Sequence, residues 1–112
     1  MPIFCHLSHL IQRSAEKYGD RTALTFRDYS TNTWRPISWN IFAKRVTQVS
    51  RSLLALGVGV QEHVAVFSQN KPEYLYVEFG TFGARAILVP FYATSSGAQA
   101  QFMINDAQIR IA

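Results

Sequence analysis

Two short, unbroken apolar runs, Val64-Ala65-Val66-Phe67 and Ala86-Ile87-Leu88-Val89, constrain this chain more than any other feature. A strand with one wet face alternates apolar and polar residues, so a continuous apolar run marks a strand covered on both faces. Between the runs, Pro72 to about Gly83 has the length of a helix, and Pro72 suits its first turn, where a missing N–H is no loss. After the second run, Ser96-x-x-Gln99 is a capping-box pattern that opens another helix through about Asn105. Ile109-Arg110-Ile111-Ala112 then reads as the middle of a third strand. Successive β-α-β-α-β units with helices this short predict a parallel sheet with right-handed crossovers.

The upstream half has a different pattern. Leu7, Leu10, Ile11, Ala15 and Tyr18 form one apolar helical face, with Ser8 as candidate N-cap and Gly19 as terminator. Thr22 to Phe26 alternates as a strand, Asp28 to Asn32 is polar turn material, and Thr33 to Ile37 returns, predicting an antiparallel hairpin. Pro36 confines the returning strand to an edge or an end, because proline cannot donate to the ladder. Ser38 is a good N-cap for the next helix, whose apolar face is Phe42, Val46, Val49, Leu53 and Leu56 and which Gly57 ends. Lys44, Arg45, Gln48 and Arg51 fall on its solvated side. The fold class is therefore α/β: an N-terminal helix and β-hairpin, then βαβαβ units with a partial parallel sheet. No repeat, low-complexity tract or linker divides residues 1–112, so no internal domain boundary is expected.

Composition sharpens this picture. Hydrophobic residues make up 48% of the 112 and charged residues 16%, an apolar balance for so small a unit. Some apolar surface is expected to face something else, and an unpaired last strand predicts self-association. The net charge of +4 is spread over eleven Lys and Arg residues, of which only Lys44 and Arg45 are adjacent. No basic block marks a nucleic-acid partner, and none is expected. One cysteine, Cys5, cannot form an internal disulfide, the N-terminus lacks a leader pattern, and no window approaches the ~18 apolar residues of a membrane span. A reduced, cytoplasmic location is the expectation.

The candidate chemical residues do not assemble into a centre. Gly57-Val58-Gly59 closes a helix and precedes a strand, the reverse of a dinucleotide fingerprint, so these read as turn glycines. Gly80 and Gly83 fall within a predicted helix and read as sites of close approach to the sheet. His6 and His9 share a helical spacing, but no third ligand stands at motif distance and Cys5 lies off that face. His63 reads as a surface residue at a strand start. Asp28, Glu62, Glu73, Glu78 and Asp106 are isolated carboxylates. Ser68-Gln69-Asn70 follows an apolar strand at its C-terminal end, where open α/β sheets place ligands; capping of the next helix by Asn70 is the preferred reading. Thr94, Ser95 and Ser96 likewise read as capping hydroxyls. No catalytic, cofactor-binding or metal-binding residue is assigned.

Several segments together resemble the N-terminal region of AMP-forming acyl-CoA synthetases, the long-chain fatty acid:CoA ligases in particular. The opening HLSHLIQRSAEKYGDRTALTFRD is similar to that family's first helix, Asp-Arg turn and first strand. Most specific are Asn70-Lys71-Pro72-Glu73-Tyr74, like Asn-Arg-Pro-Glu-Trp, and Val89-Pro90-Phe91-Tyr92-Ala93-Thr94-Ser95-Ser96, like Val-Pro-Ile-Tyr-Pro-Thr-Ser-Ser. Ile104-Asn105-Asp106 is similar to Leu-Asn-Asp. Departures are Ala93 for proline, Ile41-Phe42 for Glu-Leu, Gln61-Glu62-His63 for Gly-Asp-Arg, and Arg85-Ala86 for a small-residue pair.

The resemblance implies a flavodoxin-like sheet belonging to the large adenylate-forming domain, of which residues 1–112 are the N-terminal part, incomplete at the C-terminus. It implies a parent enzyme that uses ATP, Mg²⁺ and CoA to activate a fatty acid. The phosphate loop, magnesium-binding glutamate, ribose-binding aspartate and mobile lysine would lie downstream of Ala112. This stretch would then be structural, bind no cofactor itself and have the remainder of the parent chain as partner, with peripheral contact at the inner membrane face left open. The rival expectations are an adenylating enzyme for an aryl or amino acid, and a free-standing binding or assembly module.

Overall fold

The computed structural model describes residues 7–92 and 94–112, apart from the side chain of Ser8. In chain order the elements are α1 (Ser8–Tyr18), β1 (Thr22–Asp28), β2 (Thr33–Ser38), α2 (Trp39–Ala55), β3 (His63–Phe67), α3 (Pro72–Gly83), β4 (Ile87–Phe91), α4 (Gly97–Asp106) and β5 (Ile109–Ile111). They form an antiparallel hairpin, β1-β2, and a parallel sheet of order β4-β3-β5. This is the α/β arrangement that the two apolar runs predict.

Helix α2 is the spine. Its N-cap Ser38 accepts a hydrogen bond from the Ile41 amide, satisfying one of the donors a helix start leaves orphaned. On its first half, Phe42, Ala43 and Val46 are buried with Ile11 of α1 and Ile37 of β2, and Leu75, Tyr76 and Phe79 of α3 pack against them. Phe42 is ringed by Trp39, Tyr76 and Phe79, with centroids 6.1, 5.6 and 6.1 Å away. On its second half, Leu53 joins Val58, Val64, Ala84 and Ala86 in a second cluster that reaches the sheet. One amphipathic helix thus bridges both cores. Leu56, expected on the buried face, is instead 62% exposed, because the helix ends at Ala55 and the chain turns away at Gly57.

Four local expectations are corrected. Ser8 is the first residue of α1, not its cap; Leu7 holds the cap position and makes no side-chain cap bond. Asp28 is not turn material but the end of β1, because β1 and β2 pair as far as Asp28↔Thr33. Gly80 and Gly83 approach α2 and not the sheet: a Cβ on Gly80 would lie 2.5 Å from Val49 Cγ1, and one on Gly83 would strike the Ser50 hydroxyl. The Ser50 hydroxyl donates to the Gly80 carbonyl at 2.7 Å across that contact. Asn70 does not cap α3: Lys71 occupies that position, without a side-chain cap bond.

The two apolar runs also differ. Val64, Ala65 and Val66 of the central β3 are all buried, as a strand covered on both faces should be. Strand β4 is an edge strand, and Ile87 is 43% exposed. Its apolar run is covered only in part by the described residues.

Candidate functional site

The carboxyl ends of parallel strands are where open α/β folds put ligands, and the order β4-β3-β5 places the switch in strand order beside β3, with all three strands parallel. Two hollows flank the point where the chain leaves β3. The smaller, about 290 Å³, lies between the ends of the three strands and the start of α4. Its floor is Phe67 and Phe91, paired edge to face at 6.4 Å, with Ser95, Ser96 and Ile104 along the wall. Ser96 is tied to Gln99 there: its hydroxyl accepts from the Gln99 amide at 3.2 Å and its own amide donates to Gln99 Oε1 at 2.9 Å. That reciprocal pair is the capping box the sequence predicts. Thr94 and Ser95 precede it and do not cap the helix.

The larger hollow, about 770 Å³, is a cleft between the hairpin and the β3–α3 connection. Gln69, Asn70 and Lys71 face Phe26, Tyr29 and Trp34 across it. Its charged wall is fixed by the hairpin register, which sets Phe26 opposite Arg35 and Arg27 opposite Trp34. The Arg27 guanidinium lies 5.5 Å from the Trp34 ring centroid and also donates to Asn32 Oδ1. Asp28 accepts from the Ser30 hydroxyl at 2.6 Å and amide at 3.0 Å, and pairs with Arg35 at 2.9 Å. The Ser30 hydroxyl above all, with its amide and Arg35, holds the Asp28 carboxyl below its ordinary 3.8. Asp28 is therefore a bonded carboxylate at the end of β1. Beneath the cleft, burial and the nearby Glu73 push the Tyr76 phenol upward.

The structure separates the remaining candidates. His63 is half-buried and not a surface residue; its Nδ1–H donates to the Ala107 carbonyl and ties the start of β3 to the end of α4. It thus sits at the end of β3 opposite Ser68, so no imidazole of β3 meets the hydroxyls at the carboxyl edge. Glu62 accepts from the Gly59 amide and pairs with Arg110 at 3.5 Å, which makes it a clasp between the β3 approach and β5. Gly57 and Gly59 serve this turn, Gly57 with φ 88°, as the turn reading predicts. Cys5 and His6 lie outside the described residues. Among the described residues no group of three His, Cys, Asp or Glu side chains is placed to hold a metal, and no helix is long and apolar enough to cross a membrane.

The sequence reading missed the hairpin cleft, because its walls come from segments some forty positions apart, about the separation of Arg27 from Gln69. The exposed Trp34 and Tyr29 on a short hairpin were the available signal.

The family model for AMP-binding enzymes matches residues 11–112. Among curated proteins the chain is 26% identical over 114 residues to the long-chain-fatty-acid–CoA ligase heimdall of Drosophila melanogaster, covering 91% of this chain and 17% of that protein. It is 28% identical over 102 residues to the long-chain-fatty-acid–CoA ligase ACSBG1 of Rattus norvegicus, covering 91% and 14%. Among solved structures it superposes on the anthranilate CoA ligase AuaEII in complex with anthranoyl-AMP with a TM-score of 0.86 and 20% identity, covering 99% of this chain and 20% of that one. That likeness establishes the fold. The chain spans less than a fifth of the length of these curated relatives.

Proposed function

The chain belongs to the AMP-binding enzyme family, and on that premise we propose that it forms the N-terminal part of the large domain of a long-chain-type fatty acid:CoA ligase. Such an enzyme joins a carboxylate to the α-phosphate of ATP, releasing pyrophosphate, and then passes the acyl group to the CoA thiol with release of AMP. The observation that carries this reading is the pairing of a family match over residues 11–112 with coverage of only 17% and 14% of the two ligases. Most of the machinery then belongs to the rest of the protein.

The described residues are consistent with that division. The hollow at the carboxyl edge is mainly apolar, and the Ser96 hydroxyl on its wall accepts the capping-box bond. We therefore route no chemical step through residues 1–112 and assign none of them a catalytic, cofactor or metal role. ATP, Mg²⁺ and CoA belong to the parent. The part assigned to this stretch is scaffolding: the hairpin, α1, α2 and α3 form a packed body, and β4-β3-β5 present sheet edges and the half-covered Ile87 to the remainder of the chain. The same edges support self-association when that remainder is missing. A fatty acid is preferred as substrate because the relatives named above are long-chain-fatty-acid–CoA ligases, and the proposed location is the cytoplasm.

The test is to read the gene beyond the codon for Ala112 and assay the encoded protein. The expected result is a continuing frame with a Thr/Ser/Gly-rich loop, and AMP release that depends on a long-chain fatty acid. Release that depends on anthranilate or an amino acid would replace the substrate. A stop codon directly after Ala112 would replace the ligase with a free-standing binding or assembly module.

A further inference from the structure

A third hollow, of about 830 Å³, lies away from both openings already described. It is bounded by α1, α2, the C-terminal turn of α3, the Val60-Gln61 turn and the amino end of β4. Its lining has two chemistries. Val46, Phe79, Phe82 and Ile87 supply an apolar floor, while Arg51 and Arg85 supply two permanent positive charges, with Gln61 beside them. No carboxylate is among the residues that line it. Among the described residues, neither arginine takes part in an ion pair: Asp28 is held by Arg35, and Glu62 by Arg110.

Arg85 is held there at a conformational cost. Helix α3 ends with the Arg85 amide donating to the Phe82 carbonyl at 3.0 Å and the Ala86 amide donating to Thr81 at 3.1 Å. That pair of bonds is the Schellman ending, whose left-handed residue is ordinarily glycine. Helix α2 ends in the same way, and there the residue is Gly57, with φ 88°. In α3 it is Arg85, with φ 59°. Gln61, across the hollow's rim, is also left-handed at φ 62°. The Gln61 amide donates to the Arg85 carbonyl at 2.8 Å, and the Ile87 amide donates to Glu62 at 2.9 Å, so the two strained residues lock each other. Left-handed backbone does not by itself make a site, since Gln108 after α4 shares it at φ 53°. What distinguishes Arg85 is the cationic, carboxylate-free hollow that it faces together with Arg51.

We infer that this hollow is a binding site for an organic anion, a phosphate or carboxylate carrying an aromatic or aliphatic body. The anion would meet the guanidiniums of Arg51 and Arg85, a group that suits planar, two-pronged recognition of such oxygens, and its body would cover the phenylalanines. The inference rests on the lining of the hollow and does not depend on the ligase reading.

The experiment is a titration of the intact protein, as its own gene encodes it, with phenyl phosphate, benzoate, inorganic phosphate and phenol. Wild type is compared with Arg51→Ala, Arg85→Lys and Arg85→Gly. Arg85→Gly is the decisive variant because it removes the guanidinium while relieving the left-handed strain. The expected result is binding of phenyl phosphate or benzoate that weakens at least about tenfold in Arg51→Ala and in Arg85→Gly, with Tm equal or higher in Arg85→Gly. Arg85→Lys is expected to retain part of the affinity. Tighter binding of phenyl phosphate marks a phosphate ester as the ligand class, and tighter binding of benzoate marks a carboxylate. Three results would overturn the inference: affinities that do not change in the two charge-deleting variants, inorganic phosphate binding as tightly as either aromatic anion, or no binding up to about 10 mM.

Discussion

Helices α3 and α4 have the same topological task, each carrying the chain from one parallel strand to the next, but they are held in place by different means. Helix α3 has no side-chain cap, yet it buries Pro72, Gly80 and Thr81 and meets α2 so closely that Val49 leaves no room for a Cβ on Gly80. Helix α4 has a complete capping box and not one buried residue, and its Phe102 is 70% exposed. The difference teaches that local sequence signals and tertiary packing are separate sources of helix stability. For α3 the second layer is α2. For α4 the described residues provide no such layer, which is why the family reading assigns its cover to the rest of a longer protein. The molecule's shape agrees: its radius of gyration is 15.4 Å, against about 13 Å for a compact domain of this length.

The largest effect on the packed side is expected from Phe42→Ala, which removes the ring that Trp39, Tyr76 and Phe79 surround. We expect a loss of about 3–5 kcal/mol by denaturant unfolding. A loss below about 1 kcal/mol would show that the α2–α3 layer is not the source of stability.

The sharpest comparison makes the same chemical change in both helices. Gly80→Ala should destabilise by about 2 kcal/mol, because the new methyl meets the root of Val49 and, at 3.2 Å, the Val46 carbonyl, neither of which can swing aside. Gly97→Ala has open space around it and no left-handed φ, so it should be neutral or stabilising by up to about 1 kcal/mol. Equal effects at the two positions would break the contrast. Ser96→Ala should cost about 1 kcal/mol, confined to α4. Amide hydrogen exchange would then quicken in the first turn of α4 and leave α2 and α3 unchanged.

The smallest effect concerns acid. The folded-state pKa of Asp28 lies below its ordinary 3.8, so the ionised form favours the fold. That contribution is complete above the unfolded value and fades as pH falls through the lower, folded one. Asp28→Asn should therefore shed part of the acid-side loss of stability between about pH 5 and 2, seen as a flatter midpoint-against-pH curve. An unchanged curve would remove Asp28 from the account.

How much of this was legible beforehand varied with how local the signal was. Ser38 and Ser96 announced two helix starts, and Gly19 and Gly57 two endings, because capping is decided within a few residues. The Val64–Val66 run announced the central strand. The destination of Gly80 is not legible, since a glycine in a helix signals a close neighbour without saying which one. The role of His63 is hidden for a related reason: whether a polar side chain bonds across the fold depends on elements far away in sequence. The large hollow is not legible in the sequence: Arg51 reads as a solvated residue of α2, which it is, and nothing places Arg85 beside it.

The most direct test of the central claim, that residues 1–112 are scaffold for chemistry carried elsewhere in an AMP-forming ligase, is AMP production. The protein extended beyond Ala112 and residues 1–112 alone would each be given ATP, Mg²⁺, CoA and a long-chain fatty acid. The account predicts fatty-acid-dependent AMP from the extended protein and none from residues 1–112. Acid-dependent AMP from residues 1–112 alone would contradict it.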